Sequence, residues 1–203
     1  MAFNLFKRKN SGKAFWKWFV ENEERYYMMP QYDQEMFSEF SEQIQKVHPG
    51  LVFDFGPRNT DGKRELTISA DGIRDVFESV SSLVHTAPLL DRWIFNAFRK
   101  PLDNDDVQIQ FGDITIGYGD IYFRYQDDGG KLALELNIRG FQETSEFQNA
   151  IFILMDALIG EYDMETKIGY IEMISLDEGM VDELLPIISA RALIDELRRA
   201  QLN

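Results

Sequence analysis

Three carboxylates at alternate positions, Glu161, Asp163 and Glu165, with Glu172 a little further on, are the residues of this chain best placed to do chemistry. They follow the apolar run Ala150–Gly160. Carboxylates gathered at the end of a buried helix can hold a divalent cation, or can work as an acid and a base when burial separates their pKa values. Three features oppose a dedicated site. Alternate residues of a turn splay toward solvent, no histidine is at hand, and the negative end of the helix dipole disfavours anions there. Arg139 and Lys167 are the expected compensating cations. Asp103, Asp105 and Asp106 could share a calcium ion, but the run lacks the mid-loop glycine and the final glutamate of an EF-hand loop. Gly112 to Gly117 has the glycine spacing of a phosphate loop, yet Tyr118-Gly119 follows where lysine and a hydroxyl residue are required. His48 and His85 fall at expected helix C-termini, where the dipole and the last carbonyls favour a structural role. No Gly-x-Ser-x-Gly elbow occurs, and the absence of cysteine excludes thiol nucleophiles, thiolate metal sites and disulfides. No catalytic residue and no cofactor follow from these motifs, so the balance falls against an enzyme.

Charge says more. The 203 residues carry 35 acidic against 21 basic side chains. Lys7, Arg8, Lys9, Lys13 and Lys17 put five of the positive charges in the first 17 residues, which leaves the body strongly acidic. A field of that sign repels phosphate backbones and anionic headgroups, which argues against nucleic-acid and membrane-surface roles and suits a basic protein partner. The N-terminal stretch lacks the apolar core of a signal peptide, Ala2 replaces the glycine that myristoylation needs, and no window approaches a bilayer span. The expectation is a soluble protein of a reducing cytoplasm.

Hydrophobic periodicity supplies the elements that must position these groups. Residues 1–10 read as a basic flexible tail and 11–203 as a single α+β domain. Ser11 is the expected cap of a helix bearing Phe15, Trp16, Trp18, Phe19 and Tyr26, of which Trp16, Trp18 and Tyr26 could present a partner or dimer surface, although core is the commoner fate of such a stripe. Asp33 caps a second helix, with Tyr32 and Phe37 as a hydrophobic staple. Two ββαβ units follow, at about 51–99 and 120–176. Gly62 to Ile68 lies over Gly130 to Leu136, and Gly72 over Gly140, at a constant offset of 68 that changes within the following helix. The second helix of this kind is capped by Ser145 with Gln148 and ended by Gly160 in a left-handed cap. Its apolar surface nearly encircles the axis, so it should be buried. The expected architecture is a largely antiparallel sheet layer, either one extended sheet or two packed sheets, covered by helices, with an N-terminal helical hairpin and a C-terminal helix.

Phe15-Trp16-Lys17-Trp18-Phe19, Val47-His48-Pro49-Gly50-Leu51, Gly62-Lys63-Arg64-Glu65-Leu66 and Gly160-Glu161-Tyr162-Asp163 together resemble an uncharacterised family of soluble bacterial proteins. That resemblance implies a bacterial, intracellular, single-module protein and carries no catalytic residues. The favoured expectation is a non-enzymatic acidic module that masks a basic surface on another protein, such as a nuclease or toxin. A divalent-metal hydrolase or metal-binding protein using Glu161, Asp163 and Glu165 is the alternative, and a homodimer is compatible with either.

Overall fold

The computed structural model describes the backbone of residues 2–30 and 33–201, and side chains from residue 11 to 200 within those ranges. The protein is α+β, and the chain divides into two compact units, Met1–Arg99 and Lys100–Asn203. Each unit has its own core.

The first unit opens with α1 (Ala2–Met28) and α2 (Gln34–Gln45). The backbone of the basic segment expected as a tail forms the first turns of α1, and Ser11 lies inside that helix instead of capping it. Asp33 does cap α2, its Oδ1 accepting from the Met36 N–H at 3.0 Å, while Tyr32 of the expected staple lies outside the described residues. Strands β1 (Val52–Arg58), β2 (Arg64–Ser69) and β3 (Trp93–Ala97), with α3 (Phe77–His85) between the last two, form a sheet of order β1-β2-β3. Aromatic rings fill the core. Phe40 is fully buried and meets Phe53 at 4.4 Å, Phe55 at 4.9 Å, Tyr26 at 5.3 Å, Phe15 at 5.5 Å and Trp18 at 5.7 Å between centroids.

The basic side chain of Arg64 is buried beside that core, 4% exposed. Its guanidinium closes the end of α1, donating to the carbonyls of Tyr26 at 2.7 Å, Met29 at 2.9 Å and Tyr27 at 3.4 Å, and to Gly56 O at 3.1 Å. The final carbonyls of a helix have no partner within it, and a cation there also meets the negative end of the dipole. Burial lowers the Arg64 pKa from its ordinary value.

In the second unit, β4 (Gln108–Phe111) and β5 (Ile114–Gly117) make a separate hairpin. Strands β6 (Ile121–Asp127), β7 (Leu132–Ile138), β8 (Ile168–Ser175) and β9 (Leu185–Pro186) form a sheet of order β8-β7-β6-β9. Helices α4 (Ser145–Ile159) and α5 (Glu161–Lys167) link β7 to β8, and α6 (Ala190–Gln201) closes the chain. Among the described residues three sheets thus replace the single extended sheet that was one of the two expectations. Four of the six strand pairings among the described residues are antiparallel.

The two ββαβ segments share one topology. In each, an antiparallel hairpin is followed by a helix and then by a strand parallel to the second one. The matched glycines also match in conformation. Gly62 and Gly130 have φ of 73° and 89°, and Gly72 and Gly140 have 73° and 70°, a region in which a Cβ is strained. The crossovers differ in length. Leu66 pairs with Phe95, 29 positions on, whereas Leu134 pairs with Ile171, 37 positions on. Helix α4, with 15 residues against nine in α3, accounts for most of the difference, in keeping with an offset of 68 that changes within that helix.

On the sheet face opposite the buried β7 leucines, Glu135 Oε1 accepts from Asn137 Nδ2 at 3.1 Å and from Arg124 Nε at 2.7 Å. The Asn137 hydrogen bond first, and Arg124 next, hold the Glu135 carboxyl below the ordinary carboxylate range against the opposing effect of burial. A carboxylate depressed in the folded state contributes stability that is fully present above the unfolded pKa and is lost as pH falls through the folded one. Asn137→Ala is therefore expected to cost most near pH 7, and urea midpoints should show its deficit shrinking as pH falls through and below the carboxylate range. A deficit constant with pH would assign the loss to packing alone.

Candidate functional site

The end of α4 decides where the predicted carboxylates go. Thr144, rather than Ser145, caps that helix, its Oγ1 accepting from the Phe147 N–H at 3.2 Å. Phe147, Ala150, Ile151, Leu154, Met155, Leu158 and Ile159 are buried, but Phe152 and Ile153 stand 42% and 45% exposed, so the helix is one-sided and not wholly enclosed. Gly160 stops it with φ 87° and ψ 148°. This is positive φ as expected, but with an extended ψ in place of the left-handed cap, and it serves at once as the start of α5. Few residues other than glycine reach that region, so Gly160→Ala is expected to destabilise the protein by about 1–3 kcal/mol. The drop in thermal midpoint measures it, and an unchanged midpoint would deny the junction any conformational demand.

The acidic turn is thus a helix, and helical geometry separates its carboxylates. Glu161 and Glu165, four apart, share a face, and Asp163 projects from the other side. Glu161 is fully buried, Asp163 6% exposed and Glu165 half-buried. Asp163 Oδ2 accepts from Arg198 Nε at 2.9 Å and from Nη2 of the same guanidinium, whose Nη1 donates to Asp195 Oδ1 at 2.7 Å. Asp163 foremost, with Asp195, raises the Arg198 pKa. The cation that compensates Asp163 is therefore Arg198, while Arg139 binds Glu178 at 2.7 Å. Lys167 is buried at the C-terminal end of α5, and Lys131 Nζ reaches the Glu165 carbonyl there at 3.3 Å. Among the described residues no three histidine, aspartate or glutamate side chains group so as to hold a metal ion.

Beside this junction lies a cleft of about 200 Å³ lined by Leu102, Leu158, Ile159, Ile194, Arg191 and Arg198. Its size is below the usual range of small-molecule sites. Its two guanidiniums are already engaged. Arg191 donates to Leu158 O at 3.1 Å, to Leu102 O and Asn104 O at 2.8 Å each, and to Asp105. The aspartate loop suspected of binding calcium is in this way tied to α6 by an arginine. What the cluster does chemically is to cancel charge and fix the ends of α4 and α5 to α6. Periodicity could have found it, because Arg191, Ile194 and Arg198 recur at i, i+3 and i+7 on one helical face.

The remaining expectations fall as follows. Trp16 and Tyr26 are 5% and 0% exposed and Trp18 is half-buried against the same core, so the aromatic stripe packs inside the first unit. Trp16 Nε1 donates to Leu83 O at 2.8 Å, and Tyr26 Oη to Met36 O at 3.3 Å. His48 Nδ1 accepts from the Gly50 N–H at 3.1 Å, a structural turn. Gly112 has φ 61° at the turn of the β4–β5 hairpin.

Charge is distributed unevenly between the units. Residues 1–99 contain 14 acidic and 13 basic side chains, a balance of −1, while residues 100–203 contain 21 and 8, a balance of −13. Of the acidity expected of the body beyond residue 17, −13 belongs to the second unit and −6 to residues 18–99, where the five basic side chains of the first 17 residues offset it. No protein-family model, no curated protein and no solved structure matches this chain, so neither a family nor a residue role comes to it from a relative.

Proposed function

We propose that this protein is a non-enzymatic binding module whose second unit docks a basic surface of another protein, in the manner of an inhibitor. The observation that carries the reading is the −13 balance of residues 100–203 beside the near-neutral first unit. Long-range attraction of that kind steers association, fixes orientation and weakens with salt. The α5 carboxylates contribute little to it, because Glu161 and Asp163 are buried. The reading places the protein in a reducing compartment such as the bacterial cytoplasm, in keeping with the absence of cysteine. No helix among the described residues is long and apolar enough to cross a membrane.

Full-length protein immobilised and exposed to native lysate of the source cells at low and at moderate salt provides the test. The expected result is retention of a basic protein at low salt and its release as salt rises. Recovery of no partner under either condition, or retention indifferent to salt, would overturn the reading.

A further inference from the structure

Strand β8 is the edge of the sheet β8-β7-β6-β9, and among the described residues its one strand partner is β7. A bare edge offers a row of unpaired N–H and C=O groups, and proteins ordinarily blunt such edges with short length, proline, bulges or lysine. The other main edges among the described residues follow that rule. Strand β9 has two residues and contains Pro186, β1 contains Pro57 and a register break between Phe55 and Arg58, and β3 has five residues. Strand β8 has one register break, where Ile168 and Tyr170 pair with the adjacent Leu132 and Ala133, but from Tyr170 to Ser175 it runs in unbroken register with no proline and no basic side chain. Lys131 Nζ touches the Ile168 carbonyl at 3.5 Å, at one end. From Gly169 onward no described backbone hydrogen bond of the strand goes anywhere but to β7. Tyr170 is 59% exposed, and Gly169, Glu172 and Ser175 are exposed as well.

Carboxylates accompany this edge along its length. At its start the Lys131 side chain and an Asp128 oxygen lie 3.4 Å and 3.6 Å from where a Cβ on Gly169 would sit, so the charges there offset, while Glu172 is exposed at its middle and Asp177 just beyond its end. We propose that the free edge of β8 takes an extended, lysine- or arginine-bearing segment of the partner protein as an added strand. Backbone hydrogen bonds would supply affinity, and the carboxylates the preference for basic side chains. The inference rests on the protein-binding reading above and specifies its docking surface. A second copy of this chain is the disfavoured occupant, since it would bring two units of −13 together.

The test uses full-length protein and a fluorescent octapeptide of alternating lysine and valine, compared with the same peptide N-methylated at every backbone amide. Both carry the same charge, but only the first can pair with a strand. The expected result is binding of the first at least about tenfold tighter than of the second, as loss of several backbone hydrogen bonds requires. Amide hydrogen exchange should slow at least about tenfold over residues 169–175 and little elsewhere. Equal, salt-sensitive binding of both peptides without that protection would overturn the edge proposal and leave the acidic-surface reading standing. Binding of neither peptide would also overturn it, with the lysate experiment judging the broader reading independently. A dimer in sedimentation whose residues 169–175 are already protected would show the second copy to be the occupant and refute the basic-segment proposal.

Discussion

Replacement of Arg64 by methionine is expected to destabilise the first unit by about 3–5 kcal/mol, the range for breaking a buried charged hydrogen-bonding group. Methionine preserves much of the side-chain volume, so the loss isolates the guanidinium. Four carbonyls would lose a donor, those of Tyr26, Tyr27, Met29 and Gly56. Tyr26 and Tyr27 belong to the last turn of α1 and Met29 follows it, and of these the Tyr26 carbonyl would keep the Met29 N–H at 3.3 Å. Lysine at the same position delivers its donors from a single nitrogen and lacks the planar fork that reaches several carbonyls at once, so Arg64→Lys should restore only part of the stability. Urea unfolding followed by tryptophan fluorescence reads the effect directly, because all three tryptophans, Trp16, Trp18 and Trp93, lie in this unit. An unchanged midpoint in Arg64→Met would mean that the α1 carbonyls find water at no cost and that the buried guanidinium is incidental.

Phe40→Ala should be comparably severe, at about 3–5 kcal/mol. Phe40 is the ring on which the first core converges, with centroids of Phe15, Trp18, Phe19, Tyr26, Phe53 and Phe55 all within 6.2 Å. Deleting it removes buried area and leaves a cavity lined by rigid rings that collapse poorly, while aromatic pair interactions are lost in addition. Phe40→Leu fills most of the space and is expected to cost clearly less, about 1–2 kcal/mol. The ratio of the two penalties is the informative quantity. Equal losses would point to a specific edge-to-face requirement, and two small losses to a core able to close over the gap.

Much of the architecture was legible because period-two and period-3.6 patterns are written in apolar residues. Leu132, Leu134, Leu136 and Ile138 announce β7, the matched glycines announce the repeated ββαβ segments, and Asp33 announces the start of α2. The failures share a cause, which is that polar and charged residues take their position from distant partners. Arg64 reads as a solvated residue after a turn, since nothing local reveals that α1 ends against it. The stretch Glu161–Lys167 shows no amphipathic stripe long enough to read as a helix, and its Asp163 is stabilised by Arg198, 35 positions away. Phe152 and Ile153 look like core by composition, yet a helix packed on one side leaves them in solvent. The concentration of charge in the second unit was present in the sequence throughout, but it becomes visible only once the boundary after Arg99 is known.

That boundary falls between two basic residues, Arg99 and Lys100, and the Arg99–Lys100 bond is the one open to trypsin there, since Pro101 protects the bond after Lys100. Cleavage at that bond yields halves that differ by twelve charges, which an anion-exchange column run in urea separates. The early-eluting half would retain every tryptophan and the late one none, so absorbance at the indole band identifies each fraction without further labelling.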